Sequence, residues 1–273
     1  MSKNSQSQSL KDTLRSAFAV GTILIALIVS VLIFIYVMGN PVNFEGGNPK
    51  GTPLPGNYLA TIYKGGFIVP LLMSLLLVLI TFSIERAITI SKAKGKGKIN
   101  LFVKNIQSLL SANKINEAIS ACDKQQGSLA NIMKSGLVKY TELRDDEKLE
   151  KEQKTLAMQK ELEEATALEL PMLSRNLVIL STIASISVLI GLIGTVLGMI
   201  RAFAALAQAG SPDALQLATG ISEALINTAF GISGSTLAIV LYNFFSTKID
   251  SLTFKMDEAN FSLLQTFSSQ IKR

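Results

Sequence analysis

The sequence predicts an all-α integral membrane protein with four transmembrane helices, a cytoplasmic helical domain and an oligomeric arrangement around a central pore. The chain is 48% hydrophobic and only 17% charged, which is too apolar for an ordinary soluble domain. Four apolar segments have the length of about 20 residues that a helix needs to cross a bilayer core. Small residues and hydroxyls recur along the last two segments, which favours close helix packing around a polar path.

The charges of the connecting loops indicate how the chain is oriented in the membrane. The predicted spans are 17–39, 66–86, 176–204 and 218–245, and lipid requires all of them to be helical. Basic residues flank the first and second spans on one side, whereas the connection 205–217 has no lysine or arginine. Positive charge favours the cytoplasmic side. We therefore assign 1–16, 87–175 and 246–273 to the cytoplasm, and the loops 40–65 and 205–217 to the periplasm.

The first apolar segment has a second interpretation, a cleaved signal peptide, because a short basic region precedes it. The apolar run is longer than a typical signal sequence, and residues 36–41 have no small-x-small cleavage pattern. We therefore expect an uncleaved membrane anchor.

Residues 87–175 read as a bundle of cytoplasmic helices. The apolar rhythm breaks near Asn113 and again at Gly127, which predicts two turns. Residues 145–170 are rich in strong helix formers and should continue into the third span, with a kink at Pro171. Residues 250–270 read as a final amphipathic helix that returns to the bundle.

The composition excludes several classes of function. The chain has no histidine and no tryptophan, and Cys122 is its only cysteine. Metal clusters with thiolate or imidazole ligands, disulfides within the chain and histidine-assisted triads are therefore excluded, and we expect neither a cofactor nor an enzyme. Because the basic residues lie mainly beside apolar segments, membrane topology and lipid headgroups explain the formal charge of +6 better than nucleic acid does. Cys122 should be a buried core residue.

The third and fourth spans carry their small and polar residues on single helical faces. The third has Gly191, Gly194, Thr195 and Gly198, and the fourth has Gly220, Glu223, Asn227, Thr228, Gly231 and Gly234. One interpretation is helix packing alone, with each threonine hydroxyl bonded to its own helix. The other is a polar path in which Thr195, Glu223, Asn227 and Thr228 take part.

Glu223 is the only carboxylate of these two segments. An ionisable group near the bilayer centre costs about 2.5 to 3.5 kcal/mol on insertion scales, so it needs a reason. Proton relay is one. The alternative is that Glu223 does not lie near the bilayer centre, since residues 224–245 alone can span the membrane and leave Glu223 at the outer interface. We expect Arg201 to extend its side chain toward the headgroups.

At these residues the sequence resembles the ExbB/TolQ/MotA family of proton-channel subunits, and its ExbB members most closely. The motif GLIGTVLGMIRAF, ending at Phe203, looks like the family signature of the penultimate membrane helix. GISEALINTAFGI, residues 220–232, looks like that of the last helix. Weaker similarity covers residues 67–86 and 117–136.

The resemblance implies that Thr195, Glu223 and Thr228 match pore-lining residues of the family. It also implies a pentamer around an ExbD-like single-span partner with a membrane aspartate, which energises a TonB-like protein in the bacterial inner membrane. Val188 and Leu237 replace family prolines, and the first span lies outside the common three-helix plan. The alternatives are a TolQ-like or motility stator, and a non-conducting membrane scaffold. A secondary transporter is disfavoured because no inverted repeat of interrupted helices appears.

Overall fold

The computed structural model of the chain describes residues 19–49, 51–144, 149–207 and 214–270. The predicted N-terminus 1–16 therefore lies outside the described residues, as do parts of the loop 205–217 and the last three residues. The helices are α1 (Ala19–Met38), α2 (Tyr58–Tyr63), α3 (Ile68–Ala93), α4 (Ile99–Ser111), α5 (Ile115–Gln125), α6 (Ser128–Arg144), α7 (Lys151–Ser174), α8 (Leu177–Leu206) and α9 (Ala214–Gln270).

Among the residues that the structure describes, four stretches of helix are long and apolar enough to cross a membrane, and they lie within α1, α3, α8 and α9. The prediction of an all-α integral membrane protein is confirmed. The chain divides into two compact units: the membrane unit, made of Met1–Ile84 and Ile179–Tyr242, and the second unit, made of Glu85–Val178 and Asn243–Arg273.

In the membrane unit, the connection after α1 is a small ordered cap. The end of α1 itself, Ile33–Met38, is a π-helix. The ring of Tyr63 stacks on Phe34 with centroids 4.6 Å apart and meets Phe44 edge-on at 5.6 Å. Asn43 donates to the carbonyl of Val37 at 2.8 Å, which satisfies one of the free carbonyls at the end of α1. Aromatic packing and this capping bond hold the end of α1 on α2.

In the second unit, α4, α5 and α6 form the two turns that the sequence predicts. Asn113 takes a left-handed conformation (φ 58°) between α4 and α5, which asparagine tolerates. Gly127 (φ 85°) precedes α6, and a Cβ there would lie 2.5 Å from the carbonyl oxygen of Ala93. Only glycine permits this approach together with that φ.

The core of the second unit lies between α5, α6, α7 and the last part of α9. Its largest fully buried side chains include Ile132, Met133, Leu137, Met158 and Phe267. A Cβ on Gly136 would come within 3.0 Å of Leu162 and Leu263, so this glycine lets α6 approach both neighbouring helices. Cys122 is 2% exposed, as expected of a core residue, and burial raises its pKa to about 12.

Helix α7 does not continue into α8 without a break. It starts with a capping box between Glu150 and Gln153 and ends at Ser174, three residues after Pro171. Arg86, only 2% exposed, donates to the carbonyl of Leu173 at 3.0 Å and pairs with Glu85 at 2.5 Å. The guanidinium of Arg86 therefore satisfies a free carbonyl at the end of α7, and the carboxylate of Glu85 neutralises its charge.

Helix α9 differs from the predicted division into a membrane span 218–245 and a separate C-terminal helix 246–273. It runs unbroken from Ala214 to Gln270. From residue 235 to residue 270 the sequence has no glycine and no proline, so nothing in the chain ends the helix. An amphipathic face is present over 250–270, with Leu252, Met256, Ala259 and Leu263 buried, whereas Phe261, which the sequence pattern also placed on this face, is 70% exposed.

We expect Arg86→Met to destabilise the second unit by about 3 kcal/mol, because it leaves Glu85 and a helix-end carbonyl without their buried cation. Thermal unfolding in detergent measures the change. The control is Lys92→Met, which removes an exposed cation from the same helix and should shift stability by less than about 0.5 kcal/mol. Equal melting temperatures for the two variants would contradict the role of Arg86.

Cys122 should resist maleimide at pH 7.5 in the folded protein and react after unfolding in detergent, because burial keeps the thiol protonated. The unfolded thiol ionises near its ordinary value of 9.0 and the folded one near 12. Its contribution to stability is thus complete below pH 9 and is lost as the pH rises toward 12. The control is Cys122→Ser with Ser120→Cys, which places a thiol on the exposed face of α5 and should react at once.

Candidate functional site

Helices α8 and α9 are antiparallel and in backbone contact along their glycines. A Cβ on Gly231 would lie 2.8 Å from the Cα of Gly191, and a Cβ on Gly198 would lie 2.8 Å from the carbonyl oxygen of Gly220. Both distances are shorter than real Cβ contacts, so any larger residue would push the helices apart. Of the glycines predicted for helix packing, Gly191 and Gly198 thus face glycines of α9, whereas Gly194 lies against Asn227 and Gly234 lies against Ser187.

Between these glycine contacts, the hydroxyls of Thr195 and Thr228 are hydrogen-bonded to each other. Thr228 also contacts the carbonyl of Ala224 at 3.0 Å, and Thr195 contacts the carbonyl of Gly191 at 3.2 Å. Both threonines are half-buried. The structure thus contains the bonds to the same helix that packing alone predicts, and in addition a hydroxyl pair across the two helices.

Asn227 lies one residue before Thr228 and is completely buried. Its side chain fills the space beside Gly194, where a Cβ would overlap it. The amide nitrogen donates to the carbonyl of Gly65 at 2.9 Å, while the amide oxygen has no hydrogen-bond partner within the described residues. Asn227 is therefore packed between helices of this chain, and it joins α9 to the segment that precedes α3.

Glu223 is 4% exposed and is paired with Arg201. One guanidinium nitrogen of Arg201 lies 2.6 Å from both carboxylate oxygens. The guanidinium also lies over the ring of Phe67, 5.5 Å from its centroid. Gly66 (φ 74°) lies beside the carboxylate, and a Cβ on this residue would overlap a carboxylate oxygen. We name the group Gly65, Gly66, Phe67, Arg201, Glu223 and Asn227 the polar clasp.

Sequence reasoning missed the role of Arg201, which we expected to extend toward lipid headgroups. The side chain is about half exposed but binds Glu223. No local sequence pattern identifies this pair, because it depends on the register of α8 against α9. In the structure Gly220 lies against Ala202 and Gly198 against Ala224, which brings their chain neighbours Arg201 and Glu223 close to each other.

Two further polar residues, Ser187 and Ser235, lie where α8 and α9 meet at the end away from Glu223. The sequence reasoning left out both of them. Ser187 is 1% exposed and its hydroxyl has no partner within the described part of the chain. Ser235 donates to the carbonyl of Ala184 at 2.5 Å. Ser187 lies four residues before Gly191, so the i, i+4 repeat of the stripe could have identified it.

The two positions at which the resemblance implies replaced prolines show no break in either helix. Val188 and Leu237 lie inside the continuous α8 and α9, and both are partly exposed.

The polar groups between the two helices can accept and donate hydrogen bonds, and they can hold a charge in an apolar surrounding. Such a site suits proton or ion handling better than covalent chemistry.

These features define the chain as an all-α, multi-pass membrane protein with a polar line between two glycine-packed helices. Residues 124–258, which include α8 and most of α9, match the MotA/TolQ/ExbB proton channel family. Through this region the chain belongs to that family.

Individual relatives carry two different names. The "Tol-Pal system protein TolQ" of Haemophilus influenzae is 38% identical over 106 residues, which cover 39% of this chain and 42% of that protein. The "Biopolymer transport protein ExbB" of Salmonella typhimurium is 34% identical over 142 residues, 52% of this chain and 50% of that protein. The chain thus spans half or less of the length of these two relatives.

Replacing Gly231 by alanine should lower the melting temperature of the purified protein and loosen the α8 and α9 pair. The new methyl group meets backbone atoms of α8, and overpacking of this kind costs about 1 to 3 kcal/mol. Gly21→Ala is the matched control, because a Cβ there meets nothing within 4 Å. The packing argument is wrong if both alanine variants melt at the same temperature as the parent.

Proposed function

We propose that this chain is a proton-channel and stator subunit of a bacterial inner-membrane motor, ExbB-like in its role. It works with an ExbD-like single-span partner and uses the proton motive force to energise TonB-dependent transport across the outer membrane. It is not an enzyme. Its N- and C-termini lie in the cytoplasm. The observation that carries this proposal is the hydroxyl pair of Thr195 and Thr228 between two glycine-packed helices.

The hydroxyl pair suits a step in which a carboxyl group gains and loses a proton. A hydroxyl donates one hydrogen bond and accepts others, so it can bind either form of an acid. Both threonines are half-buried in the single protomer, and a partner can therefore reach them. We infer that Thr195 and Thr228 form the contact point for the partner's acid, while Asn227 and Glu223 support them from the neighbouring turns of α9.

The proton-carrying acid has to come from another chain. The predicted spans of this chain have no aspartate, and Glu223 has both oxygens bound to Arg201. A proton that moves with the membrane potential releases about 2.3 kcal/mol per 100 mV. Coupling that energy to motion requires a body that moves against this subunit, and an ExbD-like helix with a membrane aspartate meets this requirement.

We propose that the chain forms a homo-oligomer, a pentamer around the partner. On α8 a continuous apolar stripe is exposed, made of Leu189, Leu192, Ile193, Val196, Ile200 and Phe203. In a membrane this stripe can pack against lipid or against a neighbouring subunit.

The names of the relatives also favour a second candidate role. Both TolQ and ExbB relatives match this chain, so a stator of a Tol-Pal type system is the alternative. Deletion of the gene distinguishes the two: loss of siderophore or vitamin uptake supports the ExbB-like role, whereas loss of envelope integrity supports the TolQ-like role. Loss of motility would indicate a motility stator.

The variants Thr195→Val and Thr228→Val should each lower proton flux about tenfold or more without preventing assembly, because valine keeps the shape and removes the hydroxyl. The complex is purified with its co-purifying partner, its mass is determined, and flux is measured in vesicles with a pH-sensitive dye under an imposed potential. Thr236→Val is the matched control. It lies exposed on α9, and its hydroxyl bonds to its own helix, to the carbonyl of Ile232.

A non-conducting scaffold makes the opposite prediction. All three valine variants would then assemble and behave alike, and the parent complex would show no flux above empty vesicles. That result would refute the proposed function.

A further inference from the structure

The polar clasp ties the two hydroxyl-bearing helices to the start of α3. Arg201 on α8 holds Glu223 on α9, and its guanidinium rests on Phe67. One turn further along α9, Asn227 binds the carbonyl of Gly65. The segment 65–67 thus lies against Glu223 and Asn227, on successive turns of α9, and against Arg201 on α8.

The geometry leaves Glu223 poorly suited to carry a proton. Both carboxylate oxygens lie 2.6 Å from one guanidinium nitrogen, and the side chain is 5% exposed. A carboxylate that relays protons must give up such a partner in each cycle, at the cost of a buried charge-assisted hydrogen bond. Gly66 lies beside the carboxylate, since a Cβ on this residue would overlap a carboxylate oxygen of Glu223.

The clasp is well placed to set the rotation of α9. Glu223 and Asn227 are four residues apart on one helical face, and Thr228 follows directly at the border of that face. Two anchored turns fix the helix about its axis. A rotation of α9 by one residue would move Thr228 by about 100° away from Thr195.

We propose that Arg201 is a positioning residue for the threonine pair, and that Glu223 is its anchor and not a proton carrier. Arg201 holds Glu223 against the segment 65–67, and this contact fixes the rotation of α9 at which the hydroxyls of Thr195 and Thr228 meet. The proposal rests on the proposed function for its consequence in proton flux, whereas its structural part stands apart from flux.

The structural part is tested by disulfide formation between Thr195→Cys and Thr228→Cys in the Cys122→Ser background. In the parent clasp the two thiols should oxidise readily, because their side chains are in contact. Arg201→Gln should slow this reaction about tenfold and lower the melting temperature. Arg201→Lys keeps the cation and should restore most of both. Lys248→Gln is the control, since it removes another exposed cation that lies over a ring, that of Phe244.

An unchanged disulfide rate and melting temperature in Arg201→Gln would overturn the proposal, whatever the flux. If the parent complex conducts no protons, the proposed function fails, and the disulfide and melting data still decide whether the clasp positions the threonines.

The role of Glu223 is tested by the double variant Arg201→Gln/Glu223→Gln. It replaces the ion pair by two amides that can bond to each other, so no buried charge is left alone. We expect it to recover most of the disulfide rate and of the melting temperature that Arg201→Gln alone loses. A double variant that assembles, melts and cross-links like the parent, but conducts no protons, would make Glu223 a carrier and refute the anchor assignment.

Discussion

The close approach of α8 and α9 is the constraint on which the rest of the membrane unit depends. Gly191 faces Gly231 and Gly198 faces Gly220, with backbone atoms at the distance where any side chain would intrude. In a bilayer, such contacts are a main source of helix association, because apolar side chains gain nothing by leaving lipid. The glycines bring two helices so close that short polar side chains can reach across.

This closeness decides what happens to the polar groups. A threonine, an asparagine and a glutamate are expensive in an apolar surrounding unless they find partners. Across the glycine-lined contact of α8 and α9, the hydroxyl of Thr228 bonds to that of Thr195. The amide of Asn227 bonds to the carbonyl of Gly65, which precedes α3. Glu223 finds the guanidinium of Arg201. The same packing that joins the helices therefore lines up the groups on which a proton-handling role rests.

The second unit follows ordinary rules of soluble helical cores, and its two turns could be predicted from the sequence. The turns at Asn113 and Gly127 came from the break in apolar rhythm, and both positions take positive φ. The end of α7 was less predictable. Pro171 indicated a weak point, but the buried Arg86 that caps the last turn comes from a helix more than eighty residues away, and no local pattern reveals such a contact.

The sequence by itself determined the all-helical membrane class, the four apolar helices and the two stripes, because helical periodicity and apolar length are local properties. It also identified Thr195, Thr228, Glu223 and Asn227 as residues that need an explanation. Only the tertiary structure decided their partners. Which residue of α8 meets which residue of α9 depends on the register of two antiparallel helices, and that register comes from packing. For the same reason Arg201, an exposed cation by sequence, became the partner of a buried carboxylate.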